Sequence, residues 1–177
     1  MIKVLHAADI HLDVPFNIGD IDKAKLRRSE HRGAFSSLMT FARMEKFDIV
    51  LIAGDMFDST FVTPDTAALV TREFSACHDC RIIISPGNHD PYTPDSIWAK
   101  TEFPENVYIF SSPELDCFRF DDIGVNVYGY AFTESHMDKC PFSDPPELDK
   151  DKINILCAHG DLLDTDSRYC PIRMDEI

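Results

Sequence analysis

Basic residues are scarce: 17 Lys and Arg stand against 31 Asp and Glu, a formal net charge of −14. That is the wrong sign for a surface that grips nucleic acid on charge alone. Local arginines, divalent metals or a partner chain can still neutralise phosphates on an acidic protein. Long apolar runs are missing too. No stretch approaches the roughly 20 residues of a membrane helix, and the N-terminal MIKVLHAADIH lacks the layout of a secretory leader, so a cytoplasmic protein with no membrane role is expected. A second Cys-x-x-Cys is absent. Cys77-His78-Asp79-Cys80 has half the spacing of a zinc site, and the six cysteines are spread over 177 residues, which reads as reduced thiols. Internal repeats and low-complexity tracts are also lacking. The remaining bulk suits one globular domain with its own core.

What is present alternates between strands and helices. Lys3-Val4-Leu5, Asp48 to Ala53, Arg81 to Ser85 and Lys152 to Ala158 are short apolar runs that read as strands buried on both faces. Residues 23–46 set Leu26, Phe35, Leu38, Met39, Phe41 and Ala42 at helical spacing as a core-facing side. Thr63 caps a second helix with Pro64 at its first position, running through Leu69, Val70 and Phe74. The progression is βαβαβ, hence α/β. Val107 to Phe110, Cys117 to Phe120 and Val125 to Tyr130, with a turn at Asp121 to Gly124, suggest a hairpin or meander. Residues 138–151, rich in Pro and charge, read as an exposed loop.

Each apolar run of the α/β type ends in a polar cluster. Asp9-Ile10-His11 follows the first, Gly54-Asp55-Met56-Phe57-Asp58 the second, Gly87-Asn88-His89-Asp90 the third and His159-Gly160-Asp161 the last. Ligands bind at the C-terminal ends of strands in α/β folds, so four strand ends would deliver Asp9, His11, Asp55, Asn88, His89 and His159 to one crevice. Carboxylate, imidazole and amide oxygen form a hard-to-borderline donor set suited to Mn, Fe or Zn. Asp9 and His11 can clasp one ion and Asp55 can bridge two. An ion pair so held can position an attacking hydroxide and the leaving oxygen of a phosphoester displacement. Taken singly, Asp9 and Asp55 also read as helix caps; taken with His11, Asn88 and His159 they read as ligands. Asp58 reads as a cap or loop acid, His6 as a core histidine, and His31, His78 and His136 as surface or structural.

DIH, GDMFD, GNHD and AHG, in this order and at these strand ends, resemble the calcineurin-like metallophosphoesterase superfamily. The opening LHAADIHLD resembles, more narrowly, the SbcD-type DNA repair exonucleases. The resemblance implies a sandwich of two mixed β-sheets flanked by helices, with Asp9, His11 and Asp55 on the first of two divalent metals, most readily Mn, and Asp55, Asn88 and His159 on the second. His89, held by Asp90, would stabilise or protonate the leaving oxygen, so that Asn88 serves the metal and His89 the substrate from one tight turn. A fifth family motif, Gly-His-x-His, is not found after His159. The expectation is therefore a catalytic domain over residues 1–177 without that motif or a capping domain, a piece of a longer protein, with His136 as a candidate stand-in ligand.

The function this implies is metal-dependent phosphodiester hydrolysis by the nuclease subunit of a DNA repair complex, with DNA as substrate, an ATPase subunit as partner and a homodimer as assembly. Arg27, Arg28 and Arg32 are candidates for phosphate contact, or else a solvated helix face. A phosphodiesterase or phosphatase for a small nucleotide or phosphoprotein suits the acidic balance better. A non-catalytic binding module would be expected to have lost ligands.

Overall fold

The structure is a computed structural model that describes residues 1–142 and 146–173. Its first sheet is all-parallel in the order β1-β2-β3-β4 (Val4–Ala7, Ile49–Ala53, Arg81–Ser85, Val107–Ile109). Its second has the order β5-β6-β7 (Asp116–Phe120, Val125–Gly129, Ile153–Cys157) and is mixed: β5 runs antiparallel to β6 while β7 runs parallel to it. Helices α1 (Ile21–Met44) and α2 (Pro64–Ala76) join the first three strands, and a short α3 (Ile97–Lys100) precedes β4.

Local chemistry sets the helix ends. The Asp20 carboxylate accepts from Asp22 N and Lys23 N, both at 3.1 Å, which starts α1 ahead of the expected position 23. At the other end Lys46 takes a left-handed φ of 54°, Phe47 N reaches back to Ala42 O at 3.0 Å and Lys46 N to Arg43 O at 3.2 Å. This is a Schellman stop, and it ends the helix at Met44 rather than 46. Thr63 caps α2 as expected, with Pro64 next to it.

The first sheet packs on both faces. Val50, Ile52, Ile82 and Ile84 meet Phe35, Met39 and Ala42 of α1 and Val70 and Phe74 of α2. Ile49, Leu51, Ala53 and Ile83 meet Phe120, Val125, Val127 and Cys157 of the second sheet. Strands β2 and β3 are thus buried on both faces, as their unbroken apolar runs require.

Several expectations are corrected. Strand β1 is an edge strand and β7 is half exposed, so neither is buried on both faces, and His6 is exposed on β1 rather than in the core. Leu26 and Phe41 point to solvent, at 58% and 50% exposure, because the helix stripe that meets the sheet is Phe35, Met39 and Ala42. Strand β4 joins the parallel sheet, which leaves β5 and β6 as the hairpin. Strand β7 lies in the second sheet. The loop expected at 138–151 falls partly on residues 143–145, outside the described residues, and Cys140 and Phe142 are buried in a cluster with Tyr130 and Phe132 rather than exposed. Among the described residues no helix is long and apolar enough to cross a membrane.

Candidate metal centre

Pairing between β1 and β2 continues past the strands. His11 N donates to Asp55 O at 2.9 Å, Leu12 N to Met56 O at 2.8 Å and Asp58 N to Leu12 O at 3.0 Å. The two loops zip together, and this sets Asp9 and His11 beside Asp55. The backbone reaches this arrangement through left-handed residues: φ is 51° at Asp9, 48° at His11 and 50° at Asp55. Asp and His tolerate this region better than most side chains.

Two candidate ligand groups meet on one carboxylate. Asp55 is buried, and its Oδ2 lies 3.8 Å from His11 Nε2 and 3.4 Å from His159 Nε2. Asp9 Oδ1 is 4.0 Å from His11 Nε2, and Asn88 Oδ1 is 3.1 Å from His159 Nε2. On the far side of its ring, His159 Nδ1 meets Ala53 O at 3.1 Å. A carbonyl only accepts, so Nδ1 carries the hydrogen and a neutral ring turns the Nε2 lone pair toward two oxygens. Three acceptors converging without a hydrogen among them fit a cation. Without one, a proton substitutes. Burial acts against the His159 imidazolium, yet the Asp55 carboxylate outweighs it and raises the His159 pKa. Burial also pushes Asp55 up, but the His159 bond and the His89 N–H at 3.0 Å prevail and hold its pKa below the usual carboxylate range. Metal binding would displace that proton.

The structure therefore brings Asp9, His11, Asp55, Asn88 and His159 together, with Asp9 exposed at the mouth. His89 sits at the exposed rim, its ring edge-on to that of His11 with centroids 4.8 Å apart. Asp90 does not hold it. The Asp90 carboxylate accepts from Gly87 N at 2.8 Å and Phe57 N at 3.1 Å, because it is folded inward to tie the β2 and β3 loops. Burial pushes its pKa up to about 7 against those two donors. The ring of His89 is anchored instead by Nδ1 to the Asp58 carbonyl at 3.0 Å.

Two residues do more than their sequence context suggests. Asp58, which reads as a cap or loop acid, holds His89 through its carbonyl and sets a carboxylate oxygen 3.4 Å from His11 Nδ1. Its place three residues after Asp55 was the available signal. Asp13, the last letter of LHAADIHLD, accepts from Thr63 N at 2.7 Å, Thr63 Oγ1 at 2.8 Å and Thr66 Oγ1 at 2.6 Å, locking the site loop onto the start of α2. Asp13→Ala is expected to lower stability by about 2–4 kcal/mol, since short bonds to a carboxylate are lost and buried donors are left behind. A urea midpoint lowered at unchanged slope is the check.

Arg27, Arg28 and Arg32 of α1 are engaged locally. Arg27 pairs with Glu30 at 2.9 Å, Arg28 donates to Pro15 O at 2.9 Å and Arg32 to Thr66 Oγ1 at 3.2 Å, 3.8 Å from Asp13. His136 lies on the exposed loop with its Nδ1 2.9 Å from Ser135 Oγ, and it is not among the converging ligand groups.

Glycine is required at two positions here. Gly54 has φ 82°, and a Cβ on it would overlap the His159 ring. A Cβ on Gly87 would fall against Asp55 Oδ1 and 2.5 Å from Asp55 N, so Gly87 serves the site by leaving space rather than by an unusual backbone angle. Gly87→Ala removes no donor atom, yet it is expected to reduce turnover about 10²-fold by displacing Asp55, the scale of an ångström misplacement. A variant that folds and turns over like the parent would refute this.

Comparison with known proteins agrees with the geometry. The calcineurin-like phosphoesterase family model matches residues 2–176. The uncharacterized metallophosphoesterase YhaO of Bacillus subtilis (strain 168) is 28% identical over 184 residues, covering 98% of this chain and 44% of its own. The chain thus spans less than half the length of that relative. With the family model spanning nearly every residue and the acceptors converging as a cation requires, the chain belongs to the calcineurin-like phosphoesterase family of metal-dependent hydrolases.

Proposed function

We propose that the chain carries the catalytic centre of a phosphodiesterase that acts on DNA as an SbcD-type nuclease, with an ATPase subunit and a second copy of the chain as partners. The observation that carries this reading is Asp55 Oδ2, which faces His11 Nε2 and His159 Nε2 at once. Asp9, His11 and Asp55 would hold one divalent ion, and Asp55, Asn88 and His159 the other; their donors suit Mn first, then Fe or Zn. Such a pair supplies a nucleophile at neutral pH and neutralises charge on the phosphoryl oxygens.

The chain's own groups do the rest. His89 gives its Nδ1 hydrogen to Asp58 O, which leaves Nε2 to carry a proton to the departing oxygen. Beside Asn88 and His89 lies a cavity of about 260 Å³, lined further by Ser135, His136, Arg168 and Tyr169. None of these is a carboxylate, in a chain of net charge −14. Arg168 offers a phosphate partner; its Nε is 3.7 Å from Asp138, with both side chains exposed, a pairing worth little. Half-exposed Tyr169 offers a ring for a base to stack on. These features favour a substrate that continues beyond the scissile phosphate.

The net charge favours the second reading, a small nucleotide or a phosphoprotein. The deciding measurement is kcat/KM with Mn(II) on single- and double-stranded oligonucleotides, a cyclic nucleotide and p-nitrophenyl phosphate. Oligonucleotides are expected to lead, and chelation by EDTA to abolish turnover. Preference for the cyclic nucleotide or the monoester would replace the nuclease reading with the second.

A further inference from the structure

The Cys77-His78-Asp79-Cys80 turn lies between α2 and β3, at the end of β3 away from Asn88 and His89. Cys77 caps α2, and Cys80 N donates to Cys77 O at 2.9 Å. A bond from residue i+3 back to i closes a β-turn whose terminal α-carbons lie within about 7 Å, the span that a disulfide bridges. The side chains are neighbours as well: the Cys80 thiol donates to Arg81 O at 3.7 Å, and the two thiols lie close enough to shift each other's pKa in opposite directions.

The backbone around them is pinned. Asn106 Nδ2 reaches Phe74 O at 3.2 Å and Cys77 O and Cys80 O at 3.0 Å each, so the turn can keep its shape whether or not the sulphurs are joined. Both cysteines are only 3% exposed. They nevertheless line a cavity of about 270 Å³ whose walls include Arg43, Lys46, Asp48, His78 and Asp79, which gives a small reagent a route to them. The two sulphurs also differ. The neighbouring Cys80 thiol lowers the Cys77 pKa, with help from Arg43 and against burial and Asp79, while the Cys77 thiol and burial raise that of Cys80. A lowered thiol in a Cys-x-x-Cys turn is the attacking one.

We propose that Cys77 and Cys80 form a thiol–disulfide exchange site for low-molecular-weight disulfides of the glutathione type. The Cys77 thiolate attacks one sulphur of the reagent, giving a mixed disulfide and releasing one thiolate. Cys80 then gives up its proton and attacks Cys77 Sγ, releasing the second thiolate and closing the Cys77–Cys80 bond. In sum, two protein thiols and one small disulfide become one protein disulfide and two small thiols.

The test is incubation of the native protein with oxidised glutathione, followed by thiol counting and tryptic mapping. Residues 73–81 form a tryptic peptide that holds these two cysteines and none of the other four. Two of six thiols should be lost, this peptide should lose two hydrogens in mass, and dithiothreitol should restore both. In Cys80→Ser the peptide should instead keep one glutathionyl group on Cys77, whereas Cys77→Ser should leave it unmodified over the same time. Retention of all thiols, earlier loss at Cys117, Cys140, Cys157 or Cys170, or equal reactivity of the two serine variants would overturn the proposal. Should either variant fail to fold by circular dichroism, the native protein decides alone: loss of two hydrogens in 73–81 sustains the site and an unchanged peptide refutes it.

Discussion

Asp55→Asn is expected to abolish metal-dependent hydrolysis and to weaken binding of the ion pair by more than the ~10–100-fold typical of removing a group that merely supports a ligand. The reason is position. Asp55 Oδ2 is shared between the His11 and His159 groups, so its charge would offset the repulsion between two dications, and an amide supplies no such charge. Its other oxygen accepts from His89 N at 3.0 Å, so the substitution also loosens the turn that carries Asn88. Asp9 stands at the exposed mouth, on the His11 side of Asp55, and Asp9→Asn should cost less. Titration calorimetry with Mn(II) on both variants decides the point; equal or reversed losses would mean that Asp55 does not bridge.

For His89→Ala the expected loss is in turnover, ~10²–10⁴-fold, the range of a positioned general acid, with metal content unchanged. The His89 ring is fastened through Nδ1 to the Asp58 carbonyl and lies at the rim, outside the group of acceptors around Asp55 and His159. Elemental analysis of the purified variant, alongside its rate on a phosphodiester, separates the two roles. Loss of a bound ion in parallel with activity would make His89 a ligand and remove it as the proton donor. Reaching the same histidine through its anchor is harder, because the anchor is a backbone carbonyl that side-chain substitution at Asp58 does not delete.

Much of the layout could be read from residue order. Strand β3 is read to the residue because the apolar run Ile82 to Ile84, flanked by Arg81 and Ser85, is stopped by a Pro-Gly pair. The candidate ligand residues were legible because chemistry-bearing letters recur directly after such runs, a pattern that does not depend on which sheet holds which strand. Strand β7 looks in sequence like another parallel strand of the first sheet, and it does pair in parallel, but with β6. His159 still reaches Asp55 because the two sheets pack face to face and Nδ1 hooks onto Ala53 O. The role of Asp90 was illegible for a different reason: a carboxylate next to a histidine in sequence suggests a hydrogen bond between them. Only the fold shows that it turns inward to two backbone N–H groups. Periodicity likewise placed Leu26 and Phe41 in the core, since spacing alone does not reveal how wide a stripe the sheet covers.

The left-handed residues at the mouth of the site bear on how this protein can change. Asp9 and His11 sit at φ of 51° and 48°, a conformation that costs a side chain about 1–2 kcal/mol and costs glycine almost nothing. Selection for thermal endurance alone would therefore favour glycine at 9 and 11, and with it a sturdier, inert chain. Bound ions act in the opposite direction, since the ion that Asp9 and His11 would hold contributes to the folded state only while these two side chains are present. Lineages that have drifted away from hydrolysis are where glycine should surface at these positions first, so a survey of descendants could date the loss of activity from two codons.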